Sequence, residues 1–171
     1  KINYVSAYPI INLNYKLLKV DSMFTEQQFL LMPSKNVNER FFNILLQIIE
    51  SIEMEPYFME PVEFDSYYGA TNVIPKLISY SIIKYAEESS SWGEMSKLAK
   101  NEFNYSTIGS LTDPEELFEI IKRTNDLSTH WFNQINKEIS NLSDSFENKE
   151  KLLLDYLIKG WESRMRWELG V

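Results

Sequence analysis

The sequence has no cysteine and a single histidine, His130, in 171 residues. The first absence excludes a disulfide framework and thiolate catalysis; the two together exclude a structural zinc site built on this chain. Glycine is scarce, and the surroundings of its five positions match neither a dinucleotide-binding turn nor a phosphate-cradling loop nor a kinase glycine loop. There is no G-x-S-x-G either, so no nucleophile is singled out among the many serines. No apolar run reaches the roughly eighteen residues of a membrane helix, and the opening KINYVSAYPIINLNY is too broken by polar residues and Pro9 for a signal-peptide core. Cations are also in short supply. With 17 Lys and Arg against 25 Asp and Glu, the net charge is -8, which disfavours direct binding to nucleic acid. From Phe41 through Pro75 there is no Lys or Arg at all.

What the chain does contain is helical periodicity. Its length suits one domain, residues 1–171, with enough apolar content for a core that needs no metal or disulfide. Over Asn36 to Glu53, Asn36 or Asn38 can cap a helix whose apolar face runs through Val37, Phe41, Leu45, Ile48 and Ile52, widened by Phe42, Leu46 and Ile49. A second face, Ile74, Leu77, Ile78, Ile82 and Tyr85, marks a helix with Pro75 in its first turn. A brief linker and a short helix beginning near Ser91 follow. TDPEELFEIIKR carries explicit start signals: Thr112 or Asp113 as cap, Pro114, then Glu115 and Glu116 at the positive helix end. Its apolar set continues through Trp131, Ile135, Ile139 and Leu142, a run long enough to predict a kink near Asn125 to Ser128. A last helix spans about Phe146 to Leu169, despite the local cost of Gly160.

The N-terminal stretch is read in two ways. Ile10 to Val20 fits a helix or an extended segment, while MFTEQQFLLM suggests a short helix ending near Pro33, with a small strand as the alternative. Together the segments predict an all-α fold, an irregular bundle of about five to seven helices with a minor N-terminal extended segment.

Three constellations bear on chemistry. Glu50 with Glu53, and Glu115 with Glu119, share helix faces, yet spacing alone does not set two carboxylates across a cleft. Asp126, His130 and Glu138 follow at one- and two-turn intervals, without the H-E-x-x-H or Glu-x-x-His patterns of metal enzymes. In GWESRMRWELG, Trp161, Arg164, Arg166 and Trp167 fit helix packing better than a nucleic-acid face, since Glu162 and Glu168 dilute the charge. No metal or cofactor is called for.

The segment EMEPYFMEPVEFDSYYGA carries more. It is read as a connection broken by Pro56 and Pro61, with one short helical turn at most. Glu53, Glu55, Glu60, Glu63 and Asp65 alternate there with Tyr57, Tyr67 and Tyr68. Tyrosines give rigid contact area with a polar tip, and carboxylates steer a basic partner, so these eight residues form the candidate partner-binding set.

In this character, small, acidic, helical and free of catalytic motifs, the chain resembles the bacterial immunity proteins of toxin and contact-dependent inhibition systems. The resemblance implies a cytoplasmic, non-enzymatic inhibitor that neutralises a cognate basic nuclease toxin, with no membrane or direct nucleic-acid partner. Two other readings stand beside it: a helical adaptor or regulator of another protein, and a small enzyme using His130 with carboxylates.

Overall fold

The structure is a computed structural model that describes residues 3–11, 24–25, 27–146 and 150–170. The chain divides into two compact units, Lys1–Asp65 and Ser66–Val171.

The first unit is built on a sheet. Strands β1 (Val5–Ile10) and β2 (Gln28–Pro33) pair antiparallel, Val5 opposite Pro33 and Ile10 opposite Gln28. Helix α1 (Glu39–Ser51) then carries the chain over to β3 (Glu55–Phe58), which lies parallel to β2 with Leu31 beside Phe58. The sheet order is β1-β2-β3, and β2–α1–β3 is a crossover unit of the kind parallel pairing requires. The all-α expectation is therefore corrected: the described residues are mainly helical, but a three-stranded sheet organises the first unit.

Over MFTEQQFLLM the short helix gives way to its alternative, a small strand: β2, the central strand. Leu30, Leu31 and Met32 are all buried in a row, the pattern of a strand covered on both faces, which periodicity alone does not separate from a buried helix. The ambiguous part of the Ile10 to Val20 stretch lies outside the described residues beyond Ile11.

Asn38 caps α1, its Oδ1 accepting from the Arg40 and Phe41 N–H groups at 3.0 and 3.3 Å. The helix turns toward the sheet with Phe42, Leu45, Leu46 and Ile49, which pack with Val5, Phe29, Leu31 and Met54. Phe41 and Ile48, assigned to the core face by spacing, are 70% and 53% exposed. The sequence offered an apolar stripe wider than the core needs, and the rotation about the helix axis was set by the sheet.

After α1 the chain reverses at Glu53, whose φ of 60° lies in the left-handed region. Its Oε2 accepts from Thr25 Oγ1 at 2.9 Å. The segment read as an irregular connection is largely regular: β3, then α2 (Pro61–Tyr68), then a π-helical turn (Gly69–Val73). Pro56 is tolerated in β3 because that strand has a neighbour on one side only among the described residues.

The second unit is helical: α3 (Ile74–Glu87), α4 (Trp92–Leu98), α5 (Asn101–Thr107), a 3-10 turn (Ile108–Leu111), α6 (Pro114–Arg123), α7 (Asn125–Phe146) and α8 (Glu150–Leu169). Asp113 Oδ1 caps α6 through the Glu115 and Glu116 N–H groups, with Pro114 at the first helical position as the sequence indicated. The expected kink is a full break between α6 and α7, one residue before the predicted stretch. There Thr124 Oγ1 donates to the Ile120 carbonyl at 2.9 Å and lies 3.0 Å from Ser128 Oγ. Such hydroxyl bonds offer the backbone an alternative to the helical ladder.

α3 and the 3-10 turn approach each other closely. A Cβ on Gly109 would fall 2.8 Å from Ser79 Oγ and 3.1 Å from Lys76 Cα. Ser79 is buried, and its one hydroxyl proton is shared between the Pro75 and Ser106 carbonyls, 3.0 and 2.8 Å from Oγ, the second tying α3 to α5. Tyr80 Oη adds a bond to the Thr112 carbonyl at 2.6 Å. Among the described residues no helix is long and apolar enough to cross a membrane.

Candidate functional site

The π-helical turn begins a groove among the described residues of the second unit. Ile74 N–H donates to the Gly69 carbonyl five residues back, which widens the chain just ahead of α3. From there Ile74, Ile78 and Ile82 follow at intervals of four along α3, and Trp131, Ile135 and Ile139 at the same interval along α7. Residues four apart share a helix face, so the two rows make two apolar walls. Ala70, Pro75, Ser79, Tyr105 and Ser106 complete them, and the groove holds about 770 Å³.

Trp131 is fixed by its indole N–H, which donates to Ser66 Oγ at 3.1 Å. The serine hydroxyls in the lining are already engaged: Ser79 as above, and Ser106 Oγ with the Glu102 carbonyl at 2.8 Å. Polar functions at the groove include the Tyr105 hydroxyl and, on α7, Gln134 and Glu138, all three residues being exposed. Glu138 is the sole charged residue in the lining, and Asn141 Nδ2 donates to its Oε1 at 3.4 Å. The groove can hold an apolar body and offer it one carboxylate.

None of the eight residues chosen from sequence lines this groove. Glu53 sits in the reversal after α1, Glu55 and Tyr57 on β3, Glu60 just ahead of α2, and Glu63 and Asp65 on α2 within the first unit. Tyr67 and Tyr68 fall in the second unit. All are exposed except Tyr68, which is half-buried. His130 is exposed, its ring edge-on to Trp131 at 5.1 Å, and it too lies outside the lining. The described residues hold no group of three or more His, Asp and Glu placed to bind a metal.

The C-terminal cluster is engaged within its own helix. Arg164 lies over the Trp167 ring, 4.1 Å from its centroid, and pairs with Glu168. Trp161 and Trp167 are 65% and 71% exposed, so the expected packing of this cluster against the other helices is not found. In the sequence the groove residues stand only as apolar helix faces. Two apolar rows at helical spacing carry the same signature whether they meet each other or stand apart.

No family model and no curated protein matches the sequence. Solved structures do match in fold. Synechocystis arogenate dehydrogenase superposes with a TM-score of 0.77 at 13% identity, over 96% of this chain and 61% of its own. Prephenate dehydrogenase from A. aeolicus, in complex with hydroxyphenyl propionate and NAD+, gives 0.77 at 17% identity over 95% and 58%. A putative prephenate dehydrogenase from Corynebacterium glutamicum gives 0.75 at 12% over 97% and 54%. The chain thus spans between about half and three fifths of the length of these structures. At such identities the likeness establishes the fold.

Whether this chain's residues suit a dinucleotide is a separate matter. A crossover unit binds pyrophosphate where a glycine-rich turn lets the backbone approach at a helix N-terminus. Here the turn from β2 into α1 is Ser34, Lys35, Asn36, Val37 and Asn38, with no glycine, and all five glycines of the sequence belong to the second unit. Asn38 already occupies two of the N–H groups that a phosphate would use. The described residues do not fit that cofactor.

The fold replaces the resemblance to toxin-immunity proteins, and with it the reading as a non-enzymatic inhibitor of a nuclease in contact-dependent inhibition: almost the whole chain takes the architecture of solved dehydrogenase chains.

Proposed function

We propose that the protein is a dehydrogenase-type enzyme acting on a small ring-bearing acid, and that this chain supplies its substrate-side groove. The observation that carries the reading is the extent of the likeness: 95–97% of the chain follows dehydrogenase structures at TM-scores of 0.72 to 0.77. The groove supports it, since its volume falls within the range of about 300–1,000 Å³ usual for small-molecule sites, and Trp131 and Tyr105 offer faces to a ring. Of the three readings drawn from sequence, the enzymatic one is carried forward, with the isoleucine rows and Trp131 in place of His130.

The role of these residues is to bind and orient. The isoleucine walls exclude water from one side of the ring, and Trp131, fixed by Ser66, limits its rotation.

The test uses the native full-length protein, offered prephenate or arogenate with NAD+ or NADP+, with reduced nicotinamide read by absorbance. Turnover that falls at least tenfold in kcat/KM for Trp131→Ala, with the helical signal unchanged, is expected. Absence of nicotinamide reduction with both substrates and both cofactors would overturn the reading.

A further inference from the structure

We infer that Ser66 is a positioning residue for the ring of the ligand: by holding the plane of the Trp131 indole, it makes the groove favour a flat, unsaturated ring over a saturated ring of the same size. The inference rests on the function proposed above and deepens it, since it concerns the ring of the acid bound in the same groove.

Its first ground is how the indole is held. The torsion that sets the plane of an indole is broad, so a tryptophan on an apolar wall keeps one plane only where a partner fixes it. Here two bonded atoms of the five-membered ring are held from one short stretch of chain. Nε1–H donates to Ser66 Oγ at 3.1 Å, and Cδ1 faces Gly69, where an added Cβ would lie 3.9 Å from it. Gly69 is buried, and Ser66 and Trp131 are half-buried, so water competes less for this bond than at an exposed site.

The second ground is the wide turn. Ser66, Ala70, Ile74, Ile78 and Ile82 follow at intervals of four, and the last four line the groove. In a continuous α-helix, positions four apart drift by about 40° a step, which would carry Ser66 well round from Ile78 and Ile82. The π-helical turn over Gly69–Val73 takes one more residue per hydrogen bond and cancels part of that drift. The hydroxyl that holds the indole and the wall that faces the ligand thus come from one run of chain. A flat ring against a fixed indole gains stacking beyond the area it buries, and a puckered ring does not. With the indole free to turn, that difference shrinks.

The probes are phenylpropionate and cyclohexylpropionate, which share the acid group and the ring size and differ in ring shape. Calorimetric titration of the native full-length protein gives the ratio of their affinities. Ser66→Ala should lower the phenyl-to-cyclohexyl ratio by about threefold to tenfold, whereas Ser66→Thr, which keeps the hydroxyl, should hold it at the wild-type value. Trp131→Leu, which removes the indole itself, should lower it as far. Far-UV circular dichroism checks that the helices persist in each variant. A ratio unmoved by Ser66→Ala, with both affinities unchanged or lowered alike, marks a role in stability alone and overturns the inference. So does a ratio that falls equally in Ser66→Thr, or a wild-type protein that binds neither probe. Nicotinamide reduction measured in parallel separates the two proposals: turnover with a ratio indifferent to Ser66 sinks only this inference, and a Ser66-dependent ratio without turnover sinks only the enzymatic reading.

Discussion

The two units spend similar apolar sequence in different ways. In the first, a central strand and one helix face bring Leu30, Leu31 and Ile49 to 1% exposure or less. In the second, α8 has no buried residue, and Leu154, Leu157, Trp161 and Trp167 are each more than half exposed. Composition does not account for this. In the first unit α1 covers one face of the sheet through Ile49 and its neighbours against Leu31, whereas in the second the rows on α3 and α7 leave a groove. Burial in that unit falls heavily on small polar residues: Ser79, Thr107, Ser128 and Ser145 are all buried, and Ser79, Thr107 and Ser145 donate to backbone carbonyls, as do many solvent-facing serines here. Of these bonds only that from Ser79 to the Ser106 carbonyl crosses between elements, and Val73, Ile74, Ala86 and Leu117 are buried beside them, so the second unit adds close backbone approach to a smaller apolar core.

The largest effect should come from the first unit. Leu31→Ala removes a fully buried side chain from the cluster with Ile49 and Met54, and should cost about 2–5 kcal/mol in denaturant unfolding followed by far-UV circular dichroism. A loss below about 1 kcal/mol would mean that the unit collapses around the cavity, and the contrast with the second unit would fade.

Next comes Gly109→Ala, which tests backbone approach. The added methyl meets Ser79 Oγ and the Lys76 backbone inside normal contact distance, so α3 and the 3-10 turn must part. The expected cost is about 1–3 kcal/mol. Ser79→Ala in the same background sharpens the test: by removing the nearer obstacle it should recover part of the loss, although the Lys76 contact persists.

A third comparison sets two helix caps side by side. Asn38 and Asp113 each accept from two N–H groups of the first turn, in the first and second unit respectively. Replacing either by Ala should cost about 1 kcal/mol, measured by thermal unfolding. Similar losses would show that local structure is held equally in both units and that the contrast lies in packing alone.

Those caps also mark what a linear sequence can convey. Asp113, Pro114 and the acidic first turn of α6 were readable because capping chemistry is local, satisfied within four residues. The face that α1 buries was less readable: Phe41 and Phe42 are equivalent in hydropathy, and only the position of the sheet decides between them. β2 was only the second of two readings, because a buried run such as FLLM has no period to betray its geometry. The acidic segment misled differently, since Pro56 and Pro61 suggested irregularity, while an edge strand and a first helical turn are places that accept proline. The groove was legible only as two rows of four-residue spacing. Whether two rows touch or stand apart is a distance between helices, and no residue encodes it.

The smallest stability effect is predicted where apolar side chains are most numerous and least covered. Leu154, Leu157 and Trp161 stand on α8 at intervals of three and four, forming one stripe, with exposures of 58%, 55% and 65%. Large-to-small changes cost stability through lost burial and the cavity left behind, and an exposed side chain supplies little of either. Leu157→Ser should therefore change the unfolding free energy by no more than about 0.5 kcal/mol, the range of ordinary surface substitutions. The measurement is equilibrium unfolding at two protein concentrations well apart. A loss of about 2 kcal/mol or more that grows with concentration in the wild type would show the stripe to be covered in solution by another chain, because association stabilises a folded state by mass action. The second unit would then owe its apolar burial to assembly, and its contrast with the first would be one between a core closed within the chain and a core completed between chains.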